Sequence, residues 1–133
     1  MGKQQGKLLD VEAYFSFEQL EVYQKSIALI ARVYELTKNF PVDERSGLTS
    51  QIRRAANSIA LNIAEVKGPS SDRDFVRFLY QARGSLLETV AALHIAKTLA
   101  FSDDLSQLLK SCRELNHRLN ALISYLEASD LRP

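Results

Sequence analysis

Leu105, Leu108, Cys112, Leu115, Leu119, Leu122 and Leu126 recur at alternating intervals of three and four residues. That spacing lays one apolar seam along an α-helix and fits no strand. A seam of this kind persists in water only when neighbouring helices cover it. The same alternation returns in Leu20, Tyr23, Ile27, Ile30, Tyr34 and Thr37, in Leu48, Ile52, Ala56, Ile59, Ile63 and Val66, and in Phe75, Leu79, Ala82, Leu86, Val90 and Leu93. Four seams in 133 residues predict a single domain of four mutually covering helices.

The breaks between these segments are few and sharp. Pro41 ends the first helix, because it removes a backbone donor and biases Phe40 away from helical dihedrals. Gly68-Pro69-Ser70-Ser71 separates the second from the third. Ser16, with Gln19 three residues on, predicts a capping box that opens helix 1. Asp43 or Glu44 suits the start of helix 2, which is expected to run to about Lys67. Ser70 or Ser71 is expected to cap helix 3, and Ser102 with Asp103 helix 4. The expected architecture is all-α, an antiparallel up-down-up-down four-helix bundle over residues 16–130, preceded by a flexible tail over 1–15.

Helix 2 is the most constrained segment. Beside its apolar seam, Gln51, Arg54, Ser58, Asn62 and Glu65 form a polar stripe, and Arg53, Asn57, Ala60, Leu61 and Ala64 form a third side rich in small residues. A helix with three such faces is expected to be buried on more than one side. Helix 3 carries a second apolar stripe, Val76, Tyr80, Leu87, Ala91 and Ile95, which exceeds what a four-helix monomer can cover. Gly84 lies in the middle of that helix, at a cost of about 1 kcal/mol relative to alanine, which points to a packing role.

Little in the chain suggests catalysis. Cys112 is a lone cysteine on a seam, which excludes an internal disulfide and reads as a core residue. His94 and His117 are the only histidines, and Glu114 with His117 supplies a single Glu-x-x-His where a dinuclear metal bundle needs two. No glycine-rich phosphate loop is present. The expectation is a non-enzyme with no cofactor and no metal. No apolar run approaches the roughly 18 residues of a membrane span, and no signal peptide opens the chain, so a cytoplasmic location is expected.

The net charge of +1 is unevenly spread. Residues 45–83 hold seven basic and three acidic side chains, a local net charge of +4. Two readings follow for the polar side chains of this region. In one, Gln51, Arg54, Ser58, Asn62 and Glu65 pair with a neighbouring helix or subunit and fix its register, with Gly84 at the same contact. In the other, Arg53, Arg54, Arg73 and Arg77 form a surface that neutralises nucleic-acid phosphates.

The ordered set Phe17-Glu18-Gln19-Leu20, Phe40-Pro41, Leu48-Thr49-Ser50-Gln51-Ile52-Arg53-Arg54-Ala55-Ala56, Ser58-Ile59 and Asn62-Ile63-Ala64-Glu65 resembles the bacterial proteins encoded in intervening sequences of 23S rRNA genes. Phe75 to Leu79 and Ala82-x-Gly84-Ser85-Leu86-x-Glu88 extend the resemblance nearly to the end of the chain. One departure is Val66, where the family usually has glycine after the glutamate. The resemblance implies a four-helix bundle that assembles into a homo-oligomer, typically a pentamer, without catalytic activity. A looser similarity to accessory bundle proteins of diversity-generating retroelements suggests work beside a nucleic-acid-processing protein and RNA or DNA. The functional expectation is therefore an oligomeric accessory or scaffold protein that binds nucleic acid through a basic surface. The alternative is a protein-binding adaptor with no nucleic-acid contact.

Overall fold

A computed structural model describes residues 15–66 and 72–130. Its four α-helices are α1 (Glu21–Thr37), α2 (Leu48–Ile63), α3 (Asp72–Thr98) and α4 (Ser106–Asp130), with no strand among the described residues. Each helix packs on its neighbours in chain order, and α1 closes the ring against α4. Bonds across the seams fix the directions. Thr37 meets Arg53 and Tyr34 meets Asn57, so positions descend along α1 as they ascend along α2. The pairs Arg32–Ser111 and Glu21–Arg118 oppose α1 to α4, and Tyr80–Glu127 and Arg83–Asn120 oppose α3 to α4. The bundle is thus antiparallel, up-down-up-down, with α1 and α3 on one diagonal.

The core is the sum of the four seams. Val33, Ile52, Ile59, Ile63, Leu79, Leu86, Leu93, Leu115 and Leu119 are fully buried, each contributing about 1.5–3 kcal/mol of transfer free energy. Leu105, Leu108, Cys112, Leu115, Leu119 and Leu126 are all buried, while Ile123 replaces the expected Leu122. Burial pushes the Cys112 thiol up to about 11, so it is protonated and inert at neutral pH.

Helix 1 departs most from expectation. Its buried line is Val22, Ser26, Leu29, Val33 and Thr37, whereas Leu20, Tyr23, Ile27, Ile30 and Tyr34 are only half-buried beside it. The seam is turned by one residue because two hydroxyls can enter the core. Ser26 donates to the Tyr23 carbonyl at 2.7 Å and Thr37 to the Val33 carbonyl at 2.8 Å, so neither is buried unpaired. Thr89 does the same on α3, donating to the Ser85 carbonyl at 2.9 Å, and takes the buried place expected of Val90.

The helix ends are also shifted. Ser16–Gln19 form a 3-10 turn, and the reciprocal box joins Phe15 to Glu18, with Phe15 N–H donating to the Glu18 carboxylate at 2.7 Å. Asp43 and Glu44 belong to a second 3-10 turn, Val42–Glu44, ahead of α2. Glu44 nevertheless reaches that helix, accepting from Leu48 N–H at 2.8 Å. Helix α2 ends at Ile63, short of the expected Lys67. The expected caps Ser70 and Ser71, and the tail over 1–14, lie outside the described residues. Helix α4 is capped by Asp104, not by Ser102 or Asp103: its carboxylate accepts from Ser106 N–H at 3.0 Å and Ser106 Oγ at 2.8 Å. These bonds hold the Asp104 carboxyl below its ordinary range.

The α3–α4 turn is tightened by Ala100, which sits at a φ of 63°. Ala100 N–H donates to the Lys97 carbonyl at 3.0 Å and Phe101 N–H to Ala96 at 2.9 Å, which ties off the last carbonyls of α3. Phe101 then meets Phe40 with ring centroids 5.5 Å apart. This pair joins the α1–α2 and α3–α4 turns at one end of the bundle.

Candidate nucleic-acid and assembly surfaces

The four arginines singled out from the sequence do not form one surface. Arg53 lies half-buried in the α1–α2 seam, where Nε donates to Thr37 Oγ1 at 2.8 Å and the guanidinium stacks 4.5 Å from the Tyr34 ring centroid. Its neighbour Asn57 donates to Tyr34 Oη at 2.9 Å. Arg54 is exposed, one residue or about 100° further round the helix. Arg73 and Arg77 are exposed in the first turns of α3. Arg77 lies 3.8 Å from Asp74 and its guanidinium covers the Phe78 ring at 4.5 Å.

The polar stripe of α2 divides in the same way. Ser58 and Asn62 are half-buried and linked, with Asn62 Nδ2 donating to the Ser58 carbonyl at 2.9 Å and to Ser58 Oγ at 3.1 Å. Ser85 Oγ on α3 donates to Ser58 Oγ at 2.9 Å, so this part of the stripe joins α2 to α3. Gln51, Arg54 and Glu65 are exposed.

The second apolar stripe of α3 is exposed from Tyr80 onward, while its first member, Val76, packs against the core. Tyr80, Leu87 and Ile95 are exposed, Leu87 by 54%, and Leu99 continues the line beyond the helix end. Tyr80 Oη donates to the Glu127 carboxylate at 2.8 Å, and that bond raises its pKa. Gly84 falls between Tyr80 and Leu87 on this same line. A Cβ placed on it would meet no atom within 4 Å. The packing role expected for this glycine therefore has no partner within the described chain.

Two basic depressions escaped the sequence reading. Lys25, Lys110, Arg113, Glu114, His117 and Arg118 line a groove of about 470 Å³ between α1 and α4. Acidic groups interrupt it, since Glu21 lies 3.3 Å from Arg118 and 4.0 Å from Lys25. The Glu114-x-x-His117 pair belongs to this exposed groove and not to the bundle interior, where a metal site would need it. Among the described residues no three His, Cys, Asp or Glu side chains converge on a metal position. The second depression, about 290 Å³, is lined by Lys38, Arg45, Arg53, Thr37, Thr49 and Phe40, with Pro41 and Val42 at its rim. The recurrence of Lys110, Arg113 and Arg118 along α4 could have revealed the first depression. No sequence signal marks the second, because its residues come from one helix end, a turn and the next helix start.

Among the described residues no helix is long and apolar enough to cross a membrane. No curated protein matches the chain. The family model of the 23S rRNA-intervening sequence protein matches residues 18–121, which takes in α1, α2, α3 and most of α4. The shared region includes both the α1–α2 corner and the exposed stripe of α3, and the chain belongs to the 23S rRNA-intervening sequence protein family.

Proposed function

We propose that this protein is a non-enzymatic scaffold that self-associates through the outward stripe of α3 and presents basic surfaces to nucleic acid. The observation that carries the assembly reading is the line Tyr80, Gly84, Leu87, Ala91 and Ile95. It places apolar side chains in water around a helical glycine that no described residue approaches within 4 Å of an added Cβ. A second copy laid along this line would give the glycine its packing role and remove the apolar surface from water. Five copies are the number implied by the family resemblance. The nucleic-acid part is supported by the two basic depressions and by exposed Arg54 and Arg77.

Sedimentation equilibrium of the full chain tests the assembly. The expected mass is about five times the 15.0 kDa chain, and Leu87→Lys is expected to give folded monomers. A monodisperse wild-type monomer at micromolar concentration would remove the reading. Titration with a short structured RNA and a duplex DNA at two salt concentrations tests the second part. Phosphate neutralisation requires saturable binding that falls steeply with salt. No binding at low salt would favour the adaptor function, with the arginines serving as structural partners.

A further inference from the structure

The corner where α1 ends and α2 begins carries cations and hydroxyls without a carboxylate among its lining groups. Lys38, Arg45 and Arg53 surround a pocket of about 290 Å³ that is floored by Phe40 and walled by Thr37 and Thr49. Two carboxylates lie near it without lining it. Glu35 shares the Lys38 cation at 3.4 Å, and Glu44 accepts the Leu48 N–H at 2.8 Å.

Thr49 is the residue that points to a ligand. It is only 7% exposed, yet its hydroxyl has no hydrogen-bond partner among the described residues. The other buried threonines return their hydroxyls to a carbonyl one turn back, Thr37 to Val33 and Thr89 to Ser85. Thr49 cannot follow them, because it is the second residue of α2 and the carbonyl four positions back, that of Arg45, precedes the helix. The residue is buried but its oxygen is not among the buried unpaired atoms, so the free hydroxyl opens to the pocket it lines, which three cations ring. The first-turn N–H groups of Thr49 and Ser50 likewise have no intrahelical acceptor.

Arg53 is preorganised for the same task. Nε is bonded to Thr37 and the guanidinium plane is held over Tyr34, which leaves Nη1 without a partner among the described residues. A tetrahedral oxyanion would take donors from Arg53, Thr49, Lys38 and Arg45 at once. We propose that this corner is a phosphate seat that takes one backbone phosphate of a nucleic-acid strand. The choice of a strand over a free anion rests on the nucleic-acid reading above. It is supported by the apolar rim of Pro41 and Val42, the latter 72% exposed, against which a sugar or base can lie.

The test titrates the full chain with inorganic phosphate and, separately, with a single-stranded RNA dodecamer. Three variants are compared: Thr49→Val, which keeps shape and loses the hydroxyl, Arg45→Gln, and Lys97→Gln as a charge control outside the pocket. The expected result is loss of affinity by about tenfold for both probes in Thr49→Val and Arg45→Gln. Lys97→Gln is expected to change phosphate affinity less than twofold. Circular dichroism melts accompany each variant to confirm folding. RNA binding that is indifferent to Thr49 and Arg45 would overturn the seat and leave the nucleic-acid reading standing. Thr49-dependent binding of phosphate without RNA binding would overturn the strand as ligand and the nucleic-acid reading with it. Binding of neither probe would overturn both.

Discussion

Replacing Gly84 with alanine separates what the bundle wants from what the assembly wants. Among the described residues of one chain the added methyl has no neighbour inside 4 Å, so the intrinsic term acts there. Glycine in a helix interior is less favourable than alanine by about 0.8–1 kcal/mol. For a chain of this size a gain of about 1 kcal/mol raises Tm by roughly 4 °C. Between copies the sign reverses. If the α3 stripe of one copy meets a face of the next at Gly84, a methyl enters a contact fitted to hydrogen, and overpacking of that kind costs about 1–3 kcal/mol. Association is then weakened roughly 5- to 150-fold, at about 1.4 kcal/mol per factor of ten. Urea unfolding below the dissociation concentration reads the first effect, and a dilution series by mass photometry reads the second. Gly84→Leu is expected to raise the stability of the single chain slightly less than alanine does, since leucine ranks below alanine in helix propensity, and to weaken association further. Raised stability with unchanged or tighter association would show that the glycine has no packing role and would refute the reasoning.

Three further outcomes follow from single positions. Ala100→Gly is expected to raise stability by about 1 kcal/mol in urea unfolding, because an L side chain pays for the left-handed φ of 63° and glycine does not. Arg53→Met removes the bond to Thr37 and the stacking on Tyr34, and a loss of about 2 kcal/mol is expected in the same assay; an unchanged midpoint would mark Arg53 as a solvent cation. The depressed Asp104 carboxyl adds stability above its unfolded value of about 3.9, and that share is lost as pH falls through the lower folded value. Comparing wild type with Asp104→Asn across that window is expected to show a steeper acid loss in the wild type.

The seams of α2 and α4 were legible because their leucines and isoleucines leave one arc that excludes water. Helix α1 was not, since apolar residues occupy two adjacent lines from Val22 to Tyr34 and the line that wins includes Ser26 and Thr37. Side-chain bonds back to the helix make those hydroxyls cheap to bury, and no hydropathy pattern records that. Asp104 took the capping role from Ser102 and Asp103 because the left-handed turn at Ala100 delays the start of α4. Charge counting along the chain found the basic segment but joined residues that the fold separates. Arg53 and Arg54 are adjacent in sequence, yet one enters the α1–α2 seam and the other faces solvent. Lys38, Arg45 and Thr49 meet only because Pro41 folds the chain back on itself at Phe40, which the Phe101 ring holds in place.

The diagonal placement of α1 and α3 gives the two proposed surfaces a common logic. In the proposed assembly the outer line of α3 is the covered face, and if the face it meets on the next copy lies away from the α1–α2 corner, that corner stays open on every subunit. A single phosphate then meets one pocket, with the affinity of one pocket, whether the protein is assembled or not. A strand long enough to reach two corners meets them in succession, and the second contact is made at an effective concentration set by the spacing of subunits. The proposed assembly would therefore multiply affinity for a strand without adding a contact. Dissociation by Leu87→Lys is accordingly expected to weaken RNA binding steeply while leaving inorganic phosphate binding within twofold. Equal losses for both ligands would mean instead that the α3 contact shapes the pocket itself.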